Sequence, residues 1–357
     1  YTAGLLLQHG PLDLFFGRDR VRWGPGRTAN LLFSGESSPF THMRLGVDIG
    51  ERIRLSFLAG DLEPYPELRD SLYTTERGYI RTVRREKHIA AHRFEFVPLR
   101  WLRIGLQEAV VYGERATDWG YLNPVSVYFS EEHENGNQDN NFLGGDLLLT
   151  PVTGASFWIS VLIDDMTFGR LGDSFYRNKY AWLIGAELLG PGGLLPESAL
   201  VEYTRIRPYM YSHFYPINTF KHWNAPLGLQ LEPNSDRVAA QVIWRPAPAR
   251  LRFGTEAYYL RHGANYVDDD GNLVDVGGEI DTGPARNRVS EKAVFLDGKR
   301  EETLQVHGRV MYDLLEHFTL YAAVGYTEET HGPRDGLFAA LGFAWRMPED
   351  RRSALRR

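Results

Sequence analysis

Alternation of apolar side chains with small or polar ones, at a period of two residues, is the dominant pattern of this chain. Near the C-terminal end, one parity carries Leu337, Ala339, Leu341, Phe343 and Trp345, and the other carries Phe338, Ala340, Gly342, Ala344 and Arg346. Successive side chains of a β-strand point to opposite faces, so such a segment has one large apolar face. The pattern predicts a strand of about ten residues, which is the length of a membrane-spanning strand.

The same alternation recurs along almost the whole chain, for example at 52–61, 249–261, 303–313 and 316–327. In a soluble sandwich, the apolar parity would face a shared core. In an outer-membrane barrel it faces lipid, and the polar parity lines the lumen. The length of the runs and the aromatic residues near their ends favour the barrel.

We therefore predict an all-β fold, a single transmembrane antiparallel β-barrel of about 18 strands with an occluded lumen. The barrel is expected to occupy residues 1–347, and a polar C-terminal tail to follow at 348–357. The predicted strands include runs at 27–34, 124–130 and 225–232.

Composition excludes several other classes of protein. No run of 18 apolar residues is present in the 357-residue chain, so the sequence predicts no membrane helix. Cysteine is absent, which excludes disulfides and thiolate metal sites. The net charge of −6 argues against nucleic acid as a partner. The chain begins at Tyr1 without a signal peptide, so we expect a processed or truncated chain.

The connections between the predicted strands fall into two length classes. Those at 97–99, 246–248 and 314–316 are short, as periplasmic turns are. Longer polar connections, expected outside the cell, lie at 62–86, 131–140, 165–177, 212–224 and 262–302.

Charged residues are frequent on the parity expected to line the lumen. The positions concerned are Arg18, Arg20 and Arg22, which alternate along one predicted strand, together with Arg93, Glu95 and Arg103. Ion pairs that fill and rigidify the lumen are one interpretation. A basic track for an acidic sugar polymer or an anionic solute is another. The carboxylates interspersed at lumenal positions favour the ion pairs.

Catalytic and metal-binding patterns are weak. Ser212, His213 and His222 share a loop, which alone does not make a catalytic group. Residues 268–279 follow the spacing of a calcium loop, but Leu273 occupies the position that requires glycine. We therefore predict a protein that is not an enzyme and that has no metal or cofactor.

Three sequence blocks resemble those of the Wzi-type capsule assembly proteins. Residues 17–26 read GRDRVRWGPG, and LLFS follows at 31–34. The second block is YLNPV at 121–125 with DNNFLGGD at 139–146. The third is LVEYT at 200–204, with LG at 227–228 and NSD at 234–236. The resemblance covers most of residues 12–346.

That resemblance implies an outer-membrane barrel with an occluded lumen, acting as a surface lectin that attaches or organises capsular or extracellular polysaccharide. The expected partners are surface polysaccharide and outer-membrane lipid. The candidate sugar-binding residues are Trp119, Arg207, Tyr209, Tyr211, Tyr215 and Trp223. The aromatic side chains would stack on sugar rings, or they would belong to the interfacial girdle instead. A porin or selective channel for small or anionic solutes is the alternative function, and conductance distinguishes the two.

Overall fold

The computed structural model describes residues 1–64, 70–76, 78–124, 126–134, 136, 138–171, 173–246, 250–284, 290–315, 318–330 and 335–345. The strands of the first half are β1 (Ala3–His9), β2 (Leu12–Asp19), β3 (Arg22–Trp23), β4 (Phe33–Ser34), β5 (Phe40–Ile49), β6 (Ile53–Asp61), β7 (Asp70–Thr74), β8 (Ile80–Arg84), β9 (Lys87–Leu99), β10 (Leu102–Gly113), β11 (Asn140–Val152) and β12 (Ala155–Asp165). Helix α1 (Tyr128–Glu134) lies between β10 and β11.

The second half consists of further strands and two short 3-10 turns at Phe168–Arg170 and Pro216–Asn218. Its strands are β13 (Lys179–Leu189), β14 (Ser198–Ile206), β15 (Lys221–His222), β16 (Ala225–Pro226), β17 (Ser235–Trp244), β18 (Leu251–Ala264), β19 (Tyr266–Val267), β20 (Leu273–Val274), β21 (Lys299–Leu315), β22 (Phe318–Glu329) and β23 (Gly336–Trp345). None of the described helices is long and apolar enough to cross a membrane.

Fifteen strands form one antiparallel sheet in the order β1-β2-β5-β6-β9-β10-β11-β12-β13-β14-β17-β18-β21-β22-β23. Each long strand pairs with the long strands before and after it in the chain, so the sheet is a continuous meander. No ladder joins β1 to β23 within the described residues. The predicted all-β fold is confirmed. The remaining strands form four two-stranded hairpins in the connections.

Three predicted strands are wrong, and they account for the smaller number of strands in the sheet. Residues 27–34 and 225–232 contribute only the short hairpin strands β4 and β16. Of the residues predicted as a strand at 124–130, 128–130 are the first residues of α1, and 126 and 127 directly precede it. Leu31 and Phe33 of the segment 27–34 and Leu227 of the segment 225–232 are buried in one cluster with inner-face residues of the sheet, so the apolar pattern of these two segments reflects packing against the sheet. The tail predicted at 348–357 lies outside the described residues.

All the long connections lie at one end of the sheet, because short turns alternate with them along the meander. β5 and β6 are joined across Gly50–Arg52, and β9 and β10 across Arg100–Trp101. The five predicted outer loops are at the opposite end, which we call the loop end. One of them, at 62–86, contains the hairpin of β7 and β8, which the sequence pattern did not predict.

The two faces of the sheet differ as the alternation predicts. On β12, Phe157, Ile159 and Val161 are each about 40% exposed, whereas Trp158 and Ser160 between them are buried. Leu320, Leu341 and Phe343 are also exposed large apolar residues of their strands. The apolar parity therefore covers the outer face of the wall, as a lipid-facing surface requires.

Two connections fold against the inner face of the wall. We call the segments 20–39 and 208–234 together the plug. Their side chains form one buried cluster with inner-face residues of the sheet strands β5 to β14, including Leu58, Ala109, Phe142, Leu183 and Ile206. The backbone N–H of Ser34 donates to the carbonyl of Leu227 at 3.0 Å, which joins the two plug segments. The plug therefore fills the space that these strands enclose.

Candidate functional site at the plugged end

The turn at residues 24–28 is fixed to the wall by one carboxylate. Glu202, on the inner face of β14, is 1% exposed. Its side chain accepts the backbone N–H groups of Arg27 at 2.9 Å and Thr28 at 3.2 Å. It also accepts the Thr28 hydroxyl and the indole Nε1–H of Trp158, at 2.5 and 2.8 Å. One buried acid thus satisfies four donors and connects the first and third sequence blocks.

The glycines of this turn are required by its backbone. Gly24 has φ +118°, which side chains with a Cβ rarely adopt. A Cβ on Gly26 would lie 1.8 Å from the carbonyl oxygen of Ala29. Asn30 closes the turn by accepting the Gly26 N–H at 3.1 Å. The sequence GPG therefore sets the conformation that presents Arg27 and Thr28 to the wall.

Lysine and asparagine side chains of the wall hold the second plug segment. Lys87, the first residue of β9, is buried, and its Nζ donates a hydrogen bond to the carbonyl of Thr219 at 2.8 Å. Asn140, on β11, donates to the carbonyl of Asn218 at 2.9 Å. Lys221 of the plug reaches Asp281 at 2.6 Å. These contacts were not predicted, because their partners are backbone groups or lie far away in the sequence.

Tyr209 and Tyr211 are structural residues of the plug. Both are fully buried and have positive φ values, of 65° and 69°, where the chain turns from β14 into the lumen. The Tyr211 hydroxyl donates to the carbonyl of Leu31 at 2.7 Å, and its ring stacks on Phe220 at 5.6 Å. Burial raises the pKa of Tyr211, so its hydroxyl stays protonated. The structure therefore places both predicted sugar-binding rings inside the plug, away from the surface.

Tyr215 lies in an exposed aromatic group at the loop end. It is 39% exposed and packs edge-on against Phe214, which is 40% exposed. His213 lies beside them, and its Nδ1 accepts the Tyr215 N–H at 3.1 Å. Burial, with Lys179 nearby, lowers the pKa of His213 to about 3, so this surface carries no imidazolium at neutral pH. We call residues 213–215 the aromatic tip.

The other predicted sugar-binding residues do not join the aromatic tip. Trp223 is half-buried, has φ 55°, and its N–H donates to the carbonyl of Glu63 at 2.9 Å. Trp119 is 84% exposed but lies in the connection between β10 and β11. Arg207 follows β14, and its guanidinium lies 5.1 Å from the ring centroid of Tyr180. The structure therefore divides the six candidates among the plug, the aromatic tip, the connection between β10 and β11, and the position that follows β14.

Arg93 and Glu95 belong to an ion-pair network on the inner wall. The Arg93 guanidinium is 3.3 Å from Glu95 and forms two hydrogen bonds with Asp146, at 2.6 and 3.0 Å. It also donates to Gln107 at 2.8 Å. Asp146 was missed as a partner because it lies 53 positions away from Arg93. Arg103 is exposed on the parity of Gln107, nearer the short-turn end of β10.

Arg18, Arg20 and Arg22 do not form one ladder. β2 ends at Asp19, so only Arg18 belongs to it, with its guanidinium 5.4 Å from the ring of Tyr1. Arg20 is exposed, and Arg22 lies in the hairpin strand β3. Arg22 donates to the carbonyls of Gly26 and Arg27, at 2.6 and 2.9 Å. The predicted ladder is wrong because the chain turns into the plug at this point.

Ser212 and His222, the loop residues considered for a catalytic group, have other partners. The Ser212 hydroxyl donates to the carbonyl of Tyr209 at 2.6 Å. His222 accepts the Glu63 N–H on Nδ1 at 3.0 Å, and burial lowers its pKa to about 4. Within the part of the chain that the structure describes, no group of three acidic, histidine or cysteine side chains could hold a metal ion.

The arrangement of a wall, an inserted plug and a clamped GPG turn involves all three sequence blocks. A family model described as capsule assembly protein Wzi matches residues 5–245, which is more than half of the chain. The chain belongs to the Wzi capsule assembly family. No curated protein sequence matches it.

The comparison with solved structures finds outer-membrane proteins. One is Wzi of Escherichia coli, described as a carbohydrate-binding β-barrel involved in group 1 capsule assembly. It is 15% identical, with a TM-score of 0.61 over 95% of this chain and 68% of that one. OprD of Pseudomonas aeruginosa is 11% identical, with a TM-score of 0.46 over 96% of this chain and 77% of that one. The likeness to the Wzi structure places this member of the family in the β-barrel fold.

Proposed function

We propose that this Wzi-family chain is an outer-membrane protein that binds capsular or extracellular polysaccharide and holds it at the cell surface, without catalysing a reaction on it. The observation that carries the proposal is the match to the capsule assembly family over residues 5–245. The carbohydrate binding stated for the similarly folded Wzi barrel supports it.

The plug supports attachment of a polymer in preference to conduction of a solute. Its two segments are buried among inner-face residues of strands from β5 to β14. Glu202 and Lys87 fix those segments to the wall through hydrogen bonds to plug backbone groups. A porin would need an open aqueous path through this same space. Polysaccharide would therefore be bound at the loop end.

The aromatic tip has suitable chemistry for a sugar polymer. Phe214 and Tyr215 present partly exposed rings on a segment whose ends are fixed by the plug. An aromatic ring covers the apolar face of a sugar, and a tyrosine hydroxyl adds a hydrogen-bonding group at its edge. Since the neighbouring His213 is neutral at neutral pH, we assign recognition to stacking and neutral hydrogen bonds.

The test is binding of immobilised capsular polysaccharide to the purified full chain in detergent. The double variant F214A/Y215A should bind at least about tenfold more weakly, which is about 1.4 kcal/mol. Trp101→Ala is the matched control, because Trp101 is 45% exposed but lies in a turn at the opposite end. Equal binding by wild type and the double variant would remove the aromatic tip from the site. Absence of binding by the wild type to any surface polysaccharide of its own cell would contradict the proposed function.

A further inference from the structure

The outer wall below the loop end contains an apolar depression of about 370 Å³. It is lined by outer-face side chains of four adjacent strands, β11 to β14: Leu147, Phe157, Ile159, Ile184, Ala186 and Val201. Ala186 pairs with Phe157 on one side and with Val201 on the other. Because the alanine side chain is so short, the wall is indented between these larger neighbours.

Two arginines continue the outer face of β14 above this depression. Tyr203 lies at its upper edge. Arg205 and Arg207 follow on the same parity, about 7 and 14 Å farther along the strand direction towards the loop end. The Arg205 guanidinium lies 3.7 Å from the ring of Phe295, and that of Arg207 lies 5.1 Å from Tyr180. Aromatic rings therefore fix both cations on the outer wall.

Neither arginine has a carboxylate within ion-pair distance among the described residues. Asp236 is the acid directly across the ladder from Arg205. Its two carboxylate oxygens already accept hydrogen bonds from Arg261, and one of them also accepts the hydroxyl of Tyr203 at 2.8 Å. The Nε of Arg207 is buried and has no hydrogen-bond partner. Glu302 lies across the ladder from Arg261 and pairs with Arg300 at 3.2 Å. Four guanidinium groups against two carboxylates therefore leave this region with a net positive charge.

We propose that this surface binds an acyl lipid of the outer leaflet whose headgroup carries phosphate. The depression would hold an acyl chain, and Arg205 and Arg207 would bind the phosphate, with which guanidinium groups pair bidentately. The order along the wall matches such a lipid, because the cations lie between the apolar surface and the loop end. The inference rests on the proposed membrane location, but not on polysaccharide binding.

The headgroup is tested with the purified full chain in detergent, using native mass spectrometry to measure retention of bisphosphorylated lipid A. The variant R205Q/R207Q should lower the bound fraction at least about tenfold. The control R100Q/R250Q removes the same charge from two exposed turn residues at the opposite end and should leave retention unchanged. Equal retention by R205Q/R207Q and the wild type would overturn the assignment.

The apolar part is tested separately. Ala186→Phe fills the depression and should reduce retention of lipid A and of its dephosphorylated form alike. Ala322→Phe, at an exposed position of β22, is the control.

If inorganic phosphate alone raised the unfolding temperature of the wild type as much as lipid A does, the site would be a phosphate site and the lipid assignment would be wrong. Polysaccharide binding by the wild type and by R205Q/R207Q is measured alongside. If lipid retention fails the test while polysaccharide is still bound, this inference is wrong and the proposed function stands.

Discussion

The backbone N–H of Arg27 donates to the carboxylate of Glu202 at 2.9 Å, across 175 positions of the chain. Glu202 is part of the wall, and Arg27 is at the tip of the inserted turn. The same carboxylate also accepts hydrogen bonds from Thr28 and Trp158. Of the side chains described above that join the plug to the barrel wall, it accepts the most hydrogen bonds. Stability of the plug should therefore depend strongly on this one side chain.

Replacing Glu202 with alanine should lower the free energy of unfolding by more than about 3 kcal/mol, because it leaves several buried donors without an acceptor. Glu187→Ala is the matched control. Glu187 binds the side chain of the same Arg27 at 3.2 Å, but the pair is partly exposed and should contribute about 0–1 kcal/mol. Denaturant unfolding in detergent measures both. Similar losses for the two variants would contradict the assigned role of Glu202.

Because the plug fills the lumen, we expect the protein not to conduct ions. Reconstituted in a planar bilayer, the wild type should show no steady channel, because plug side chains such as Phe33, Phe220 and Leu227 are buried in contact with the inner wall. A porin measured in the same bilayer is the control. Stable open channels from the wild type would favour the porin alternative over attachment of polysaccharide.

The exposed apolar parity should face lipid. Val306→Arg, on the outer face of β21, should cost about 2–4 kcal/mol if this position lies near the bilayer midplane. Gln305→Arg places the same side chain one residue away on the inner parity and should cost less. Folding into lipid vesicles, titrated with denaturant, gives the two values. Equal costs would mean that the apolar face is not in the membrane.

Much of this fold could be predicted from the alternation of apolar side chains with small or polar ones. In a strand such as β12, adjacent residues show directly which side chains face outwards and which face inwards. The plug could not be predicted in this way. Its apolar residues at 27–34 and 225–232 look like those of wall strands, because burial against the inner wall selects the same residue types. The resemblance implied an occluded lumen, but only the structure shows which segments fill it.

The candidate site was predicted less well. Tyr209 and Tyr211 have the composition of a sugar-binding pair, and nothing local in the sequence shows that their hydroxyls are bound to distant carbonyls. Glu202 and Asp146 were missed as partners for the same reason. Tyr215 could be placed at the loop end because loop and turn lengths alternate, which is a property of the sequence itself.

Acidification should weaken the contact between the plug and the loop at 62–86. The pKa of His222 is lowered from 6.5 to about 4, so the folded state binds fewer protons than the unfolded state between these values. Its contribution to stability is therefore complete above about pH 6.5 and is lost as the pH falls towards 4. His222→Asn keeps an acceptor for the Glu63 N–H and removes the titration. The variant should lose less stability than the wild type between about pH 7 and 5.

The matched control for that comparison is His9→Asn, since His9 is exposed at the end of β1. It makes the same substitution far from the contact with Glu63. A His222→Asn variant that loses stability on acidification as steeply as the wild type would show that His222 is not responsible for the effect.

The central claim is that this protein holds polysaccharide at the cell surface, and the most direct measurement is the fraction of polymer that remains attached to washed cells. Cells that lack the protein should release polymer into the medium while total synthesis is unchanged. The wild-type chain and Trp101→Ala should restore attachment, and F214A/Y215A, inserted at the same level, should restore less. Equal attachment with and without the protein would contradict the account.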